Sequence, residues 1–260
     1  MKVLILSCNT GQGHNTAGQA LTEYLSERGI LCEMKDALLF AGEHVSRFVS
    51  GTYVNVTTKA PQLFHFLYWA GSGISSSKVK SIIYYVNKSY ASALGEYIEK
   101  NHFDVVLVPH LFPAEALTSL RRKGKLSARC YAIATDYTCI PFWEETELDG
   151  YFIPHEDLCD EFHKKGIPYE KLHATGIPVS KRFLNPIDRD EIRRALAIPE
   201  LGKMLLVMSG SMGFGSVASI TEELIEHCSE KDRIFVLGGS NEPLKRELRK
   251  KFGNDMRVKI

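Results

Sequence analysis

No run of apolar residues in this 260-residue chain approaches the ~20 needed to span a bilayer, so no transmembrane helix is expected. No leader is expected either. Met1-Lys2 leads directly into a short apolar run that Asn9 and Gly11 end too early for a signal peptide. An excess of either charge is also missing: 32 Lys+Arg stand against 31 Asp+Glu. The basic footprint of a nucleic-acid binder is absent, and no nucleic-acid partner is expected. The six cysteines (Cys8, Cys32, Cys130, Cys139, Cys159 and Cys228) include no CxxC pair. They read as reduced thiols of a cytoplasmic protein rather than a disulfide frame or zinc site. His102, His110, His155, His163 and His173 show no HExxH spacing, so no metal site is expected. A G-x-S-x-G nucleophile elbow is absent as well.

What remains is an ordinary globular composition, 44% hydrophobic and 24% charged, in a chain long enough for two domains. Val3-Leu4-Ile5-Leu6 is a continuous apolar run, as for a strand buried on both faces of a parallel sheet. A glycine-containing turn, Gly11-Gln12-Gly13-His14, is expected to follow, then a helix over 15–28 and a strand over 31–35. The rhythm recurs with a strand at 105–108, a helix over 113–122, a strand over 130–134, a strand at 151–153 and a helix over 156–165. Asn185-Pro186-Ile187 interrupts it. Asp188 with Glu191 then gives a capping-box-like helix start. A second α/β run follows: strand 204–208, glycine loop, helix 217–228, strand 234–237, helix 243–251 and the beginning of a strand at 256–260. The expected division is 1–180 and 181–260, two Rossmann-like lobes facing a cleft, the second thin for an independent domain.

Three places could carry chemistry. Gly11 and Gly13 let backbone approach a ligand after the first strand. Thr16 stands where G-x-G-x-x-G needs its last glycine, and no Walker Gly-Lys-Ser/Thr follows. Asp36, placed about where a ribose-binding acid would sit, keeps a nicotinamide oxidoreductase open as an alternative. His14 is suited to take a proton from a hydroxyl; its plainer role is a helix cap. Thr135 and Asp136 follow a buried strand at the same sheet edge, and Asp136 could orient His14, act as base, or cap a turn. The third place is Ser209-Gly210-Ser211-Met212-Gly213-Phe214-Gly215-Ser216. Its backbone amides and the next helix N-terminus suit a diphosphate without any basic residue. Segment 43–87 differs from the rest. Phe64, Phe66, Tyr68 and Trp69 with nearby lysines read either as helices packed on the sheet edge or as a surface meeting anionic lipid.

In order along the chain, these motifs resemble the monogalactosyldiacylglycerol synthase and processive diacylglycerol glucosyltransferase family. The residues that carry the resemblance are Gly-Gln-Gly-His (11–14), Ala60-Pro61-Gln62-Leu63-Phe64, Leu67-Tyr68, Thr135-Asp136-Tyr137-Thr138, Pro141, Trp143, Gly176-Ile177-Pro178-Val179 and the Ser209–Gly215 loop. The resemblance implies a GT-B fold and metal-independent, inverting transfer of a hexose, glucose before galactose, from a UDP-sugar to diacylglycerol. It implies His14 as the base for the acceptor, Asp136 as its helper, and Ser211, Met212, Gly213, Phe214 and Gly215 as the diphosphate cradle. No cofactor beyond the UDP-sugar substrate is implied. The expected location is the inner face of the cell membrane, held peripherally. A lipid or sugar-nucleotide sensor without catalysis is the non-enzymatic alternative.

Overall fold

The apolar run Val3–Leu6 forms the middle of strand β1 (Lys2–Ser7), and all four of its side chains are buried. The structure, a computed structural model, describes residues 1–9, 12–44, 80–211, 213 and 215–260. It divides into two units, Met1–Leu184 and Asn185–Ile260.

In the first unit β1 leads into α1 (Gln12–Ser26), which returns to β2 (Leu31–Asp36). Helices α2 (Ile82–Lys88) and α3 (Ala91–Lys100) precede β3 (Val105–Val108). Then come α4 (Leu111–Arg122), β4 (Arg129–Ile133), β5 (Gly150–Ile153), α5 (Cys159–Lys164) and the three-residue β6 (Leu172–Ala174). All six strands are parallel, in the order β2-β1-β3-β4-β5-β6. The chain therefore steps outward from β1 to β2 and returns to the other side of β1 with β3. In an open parallel sheet, that reversal opens a crevice at the carboxyl ends of the two strands.

The local reasons are visible in the residues. Helix α4 begins at Leu111, two residues before the proline that marks it in the sequence, because the His110 ring accepts the Phe112 N–H at 3.1 Å and caps it. Pro113 is then in the first turn, where its missing N–H costs no hydrogen bond. The expected helix over 156–165 is a 3-10 turn, Glu156–Leu158, running into α5. Gly13 and His14 were expected in a turn before α1 and lie in its first helical turn. Apolar periodicity starts only at Ala17, so a polar first turn left no periodic signal. Leu4, Leu6, Val106 and Val108 from the strands pack with Leu94, Ile98 and Leu117 from α3 and α4 in one core, all fully buried. Full burial of each such side chain stabilises by roughly 1.5–3 kcal/mol.

The second unit holds α6 (Arg189–Ala195), β7 (Met204–Met208), α7 (Val217–His227), β8 (Arg233–Leu237), α8 (Glu242–Phe252) and β9 (Val258–Lys259). Asp188 caps α6 by accepting the N–H groups of Asp190 and Glu191, as the capping pattern predicts. The three strands form a parallel sheet in sequence order. Its core is Val207, Val217, Ile234, Val236, Leu248, Phe252 and Val258. Among the described residues no helix is long and apolar enough to cross a membrane.

Candidate active site

His14 stands at the switch point of the first sheet. Its Nδ1 lies 2.7 Å from the carbonyl oxygen of Pro109, which directly follows β3, and 2.9 Å from the Thr135 hydroxyl beyond β4. A carbonyl oxygen only accepts, so Nδ1 donates and carries the ring proton. Nε2 then holds the lone pair. The ring of His110 meets His14 edge-on, with centroids 4.6 Å apart. Three successive strands thus each contribute to the setting of one imidazole: β1 through the loop to α1, β3 through Pro109-His110, and β4 through Thr135.

On the other side of β1 a chain of polar side chains closes the edge. The Ser7 hydroxyl donates to Asn15 Oδ1 at 2.6 Å, Asn15 Nδ2 to Asn9 Oδ1 at 3.0 Å, and Asn9 Nδ2 to Asp36 Oδ2 at 3.0 Å. Asp36 Oδ1 accepts the Leu38 N–H and caps the short helix Ala37–Ala41. Both oxygens of the acid that suggested a nicotinamide ribose are engaged in holding the end of β2.

The loop after β4 is pinned from below. Glu161 of α5 accepts from the Thr138 hydroxyl at 2.6 Å and from the Cys139 N–H at 2.8 Å, and Lys165 donates to the Cys139 carbonyl. Between these anchors Asp136 is partly exposed and Tyr137 is 71% exposed. The orienting contact expected from Asp136 is made by its neighbour. Thr135 reaches the His14 ring, and Asp136 makes no hydrogen bond to it.

In the second unit the glycine loop after β7 is joined to a second loop after β8. The Ser211 carbonyl accepts from the Ser240 N–H at 2.7 Å and from the Ser240 hydroxyl at 2.9 Å, and the Gly213 carbonyl accepts from Asn241 Nδ2 at 3.2 Å. Asn241 also caps α8 by accepting the Leu244 N–H. Gly213 has φ +64°, and a Cβ there would meet the Gly238 carbonyl oxygen at 2.5 Å and Asn241 Cβ at 2.8 Å. That glycine is required by the neighbouring loop. Ser216, the residue before α7, makes no side-chain cap to the helix.

Of the residues singled out from sequence, His14 and Thr135 are brought together. Asp136 and Gly13 lie beside them on the same edge. Ser211, Gly213 and Gly215 belong to the second unit's loop. Gly11, Phe64, Phe66, Tyr68, Trp69, Met212 and Phe214 lie outside the described residues. Sequence reasoning missed Pro109, His110 and the Gly238-Gly239-Ser240-Asn241 loop. Each directly follows a buried strand, the same signal that picked out Asp136.

The sequence profile of a family described as monogalactosyldiacylglycerol (MGDG) synthase matches residues 14–179. Processive diacylglycerol beta-glucosyltransferases of Bacillus cereus and Bacillus anthracis are each 27% identical to the chain over 254 residues, which cover 95% of it. The chain spans 62% of the length of these curated relatives. Among solved structures it is similar to a putative UDP-N-acetylglucosamine 2-epimerase from Listeria monocytogenes, with a TM-score of 0.57 and 12% identity, over 99% of this chain and 68% of that one. It is also similar to the apo form of a lipopolysaccharide outer core galactosyltransferase, with a TM-score of 0.51 and 11% identity, over 100% and 67%. At such identities the likeness is one of fold, the two Rossmann-like parallel-sheet units of the GT-B class, with the second unit incomplete here. With its profile match running from His14 to Val179, the chain belongs to the monogalactosyldiacylglycerol synthase family.

Proposed function

We propose that the protein transfers a hexose, glucose in the first place, from a UDP-sugar to the free hydroxyl of a diacylglycerol, with inversion and without a metal ion or resident cofactor. The observation that carries this reading is the His14 ring, held as an Nδ1–H donor with its Nε2 lone pair available at the sheet's carboxyl edge. In a single displacement the acceptor oxygen attacks the anomeric carbon while Nε2 takes the hydroxyl proton. The bond from that carbon to the UDP oxygen breaks, and its electron pair leaves with the diphosphate. The loop of Ser211, Met212, Gly213, Phe214 and Gly215, with the α7 N-terminus, meets that leaving charge with backbone N–H groups. Ser216 leaving α7 without a side-chain cap supports this use. Asp136 lies close enough in sequence to bear on the acceptor directly rather than through His14. The relatives named as diacylglycerol glucosyltransferases support the acceptor and the sugar.

A lipid acceptor requires work at a membrane surface. We place the protein peripherally on an anionic, cytoplasmic face, with Phe64, Phe66, Tyr68 and Trp69 entering the interface and nearby lysines adding roughly 1 kcal/mol each. The test is transfer itself. Intact protein, vesicles of anionic lipid carrying diacylglycerol, and radiolabelled UDP-glucose should yield a labelled glycolipid in the presence of a chelator. UDP-galactose should be the poorer donor. No labelled lipid from either donor would overturn the reading, and label from UDP-galactose alone would overturn the choice of glucose. Flotation with anionic but not neutral vesicles, reversed by salt, checks the surface.

A further inference from the structure

We propose that His110 is a positioning residue: by capping α4 it fixes the Pro109 carbonyl that holds His14 in the Nδ1–H form. The inference rests on the reading of His14 as the base.

The direction of the Pro109 carbonyl depends on the backbone between β3 and α4. That backbone is set by His110, whose φ of −133° and ψ of 143° are extended while Leu111 is already helical. A side-chain bond from the Phe112 N–H to His110 Nδ1, at 3.1 Å, helps to hold this bend. Because Nδ1 accepts there, the His110 proton is on Nε2, and protonating Nδ1 would break the cap. Burial pushes the His110 imidazole well below its ordinary pKa, with the nearby His14 as a second cause, so the ring stays in the form the cap needs.

A helix cap alone asks for less. Serine, threonine, aspartate and asparagine are the usual caps and are smaller. At 7% exposure the His110 ring fills the space between His14 and Phe112, at 4.6 Å from each. A carboxylate cap would set a charge beside His14. A serine would leave the ring's place empty. Histidine supplies the acceptor and the bulk without charge.

The roles of cap and bulk separate in three variants. His110→Asn keeps an acceptor for the Phe112 N–H and loses the ring. His110→Phe keeps the ring and loses the acceptor. His110→Ala loses both. In intact protein with 15N-labelled histidine, long-range proton–nitrogen spectra show which nitrogen of His14 carries the proton once the ring is neutral. The wild type should show Nδ1–H. His110→Ala and His110→Phe should shift His14 towards Nε2–H and lower kcat at least about tenfold with KM little changed. His110→Asn, which keeps the cap, should restore the Nδ1–H form.

A folded His110→Phe protein that keeps His14 as Nδ1–H would overturn the proposal, as would failure of His110→Asn to restore that form. Because Phe and Asn each preserve half of the site, loss of folding in His110→Ala still leaves the question answerable. The tautomer is read without turnover. If His14→Ala turns over normally, the base reading falls while the spectra still decide whether His110 sets the ring.

Discussion

The two units contain the same sequence pattern, an apolar strand, a glycine-bearing segment and a helix, yet they bury it differently. In β1 the four apolar side chains after Lys2 are all buried, because α1 lies on one side of the sheet and α3 and α4 contribute to the other. In β7, Met204, Leu206 and Met208 are each at least half exposed, and Val207 alone of the strand is buried. An apolar run states that a strand can be covered on both faces. It does not state that the cover is present. The same contrast holds at the loops. The first unit's edge is organised by side chains around an imidazole, and the second unit's edge by backbone carbonyls tied to a neighbouring loop.

The widest gap between the units should appear on truncating their strand and helix cores. Leu117→Ala removes a fully buried side chain of α4 and should cost about 2–5 kcal/mol in denaturant unfolding. Leu206→Ala, at a residue 50% exposed, should stay within about 0.5 kcal/mol. A large loss at Leu206 in the intact protein would mean that the face of β7 is covered there, and the contrast would close.

Glycine gives the next test. Gly213→Val forces a branched side chain into a positive-φ position and against the Gly238 carbonyl, and should destabilise the second unit by roughly 1–3 kcal/mol. Gly13→Ala adds a methyl that meets nothing within 4 Å in the first turn of α1, and should leave the stability unchanged or raise it, by at most about 1 kcal/mol. Weakened UDP binding in Gly213→Val is therefore expected from loss of loop shape. A Gly213→Val protein of normal stability would contradict that account.

Two carboxyls, one in each unit, should also respond to pH in opposite senses. Glu115 of α4 is fully buried, with Oε2 accepting from Asn87 Nδ2 at 2.5 Å and Oε1 unpartnered among the described residues. Burial, with Glu145 adding like charge, raises its carboxyl from 4.5 to about 8. The folded unit keeps a proton that the unfolded chain has released. That stabilisation is complete below about pH 4.5 and is lost as pH rises through 8, by at most about 1.4 kcal/mol per unit. In the second unit the N–H groups of Lys203 and Ser229 hold the Asp232 carboxyl below its ordinary value, so its contribution is lost in acid. Glu115→Gln should flatten the decline of first-unit stability between pH 5 and 9. An unchanged decline would remove Glu115 as its cause.

Much of this was legible in the residues. The strands, the alternating helices and the tandem α/β outline follow from apolar runs and turn residues. His14 and Thr135 could each be placed at a carboxyl edge because both follow buried strands. Their pairing was not legible, since Asp136 is the more chemically conspicuous neighbour and only the folded contact brings Thr135 to the imidazole. Pro109 was invisible for a different reason: it acts through a backbone carbonyl, which every residue has. The reason for Gly213 lay in a second loop 25 residues further on in sequence, at Gly238.

The central claim is that His14 takes the acceptor proton, and its most direct test is turnover of His14→Ala in the intact protein beside its affinity for UDP. His14→Ala should lower kcat by about 10²-fold or more and leave UDP binding unchanged. Near-normal turnover in that variant would contradict the claim.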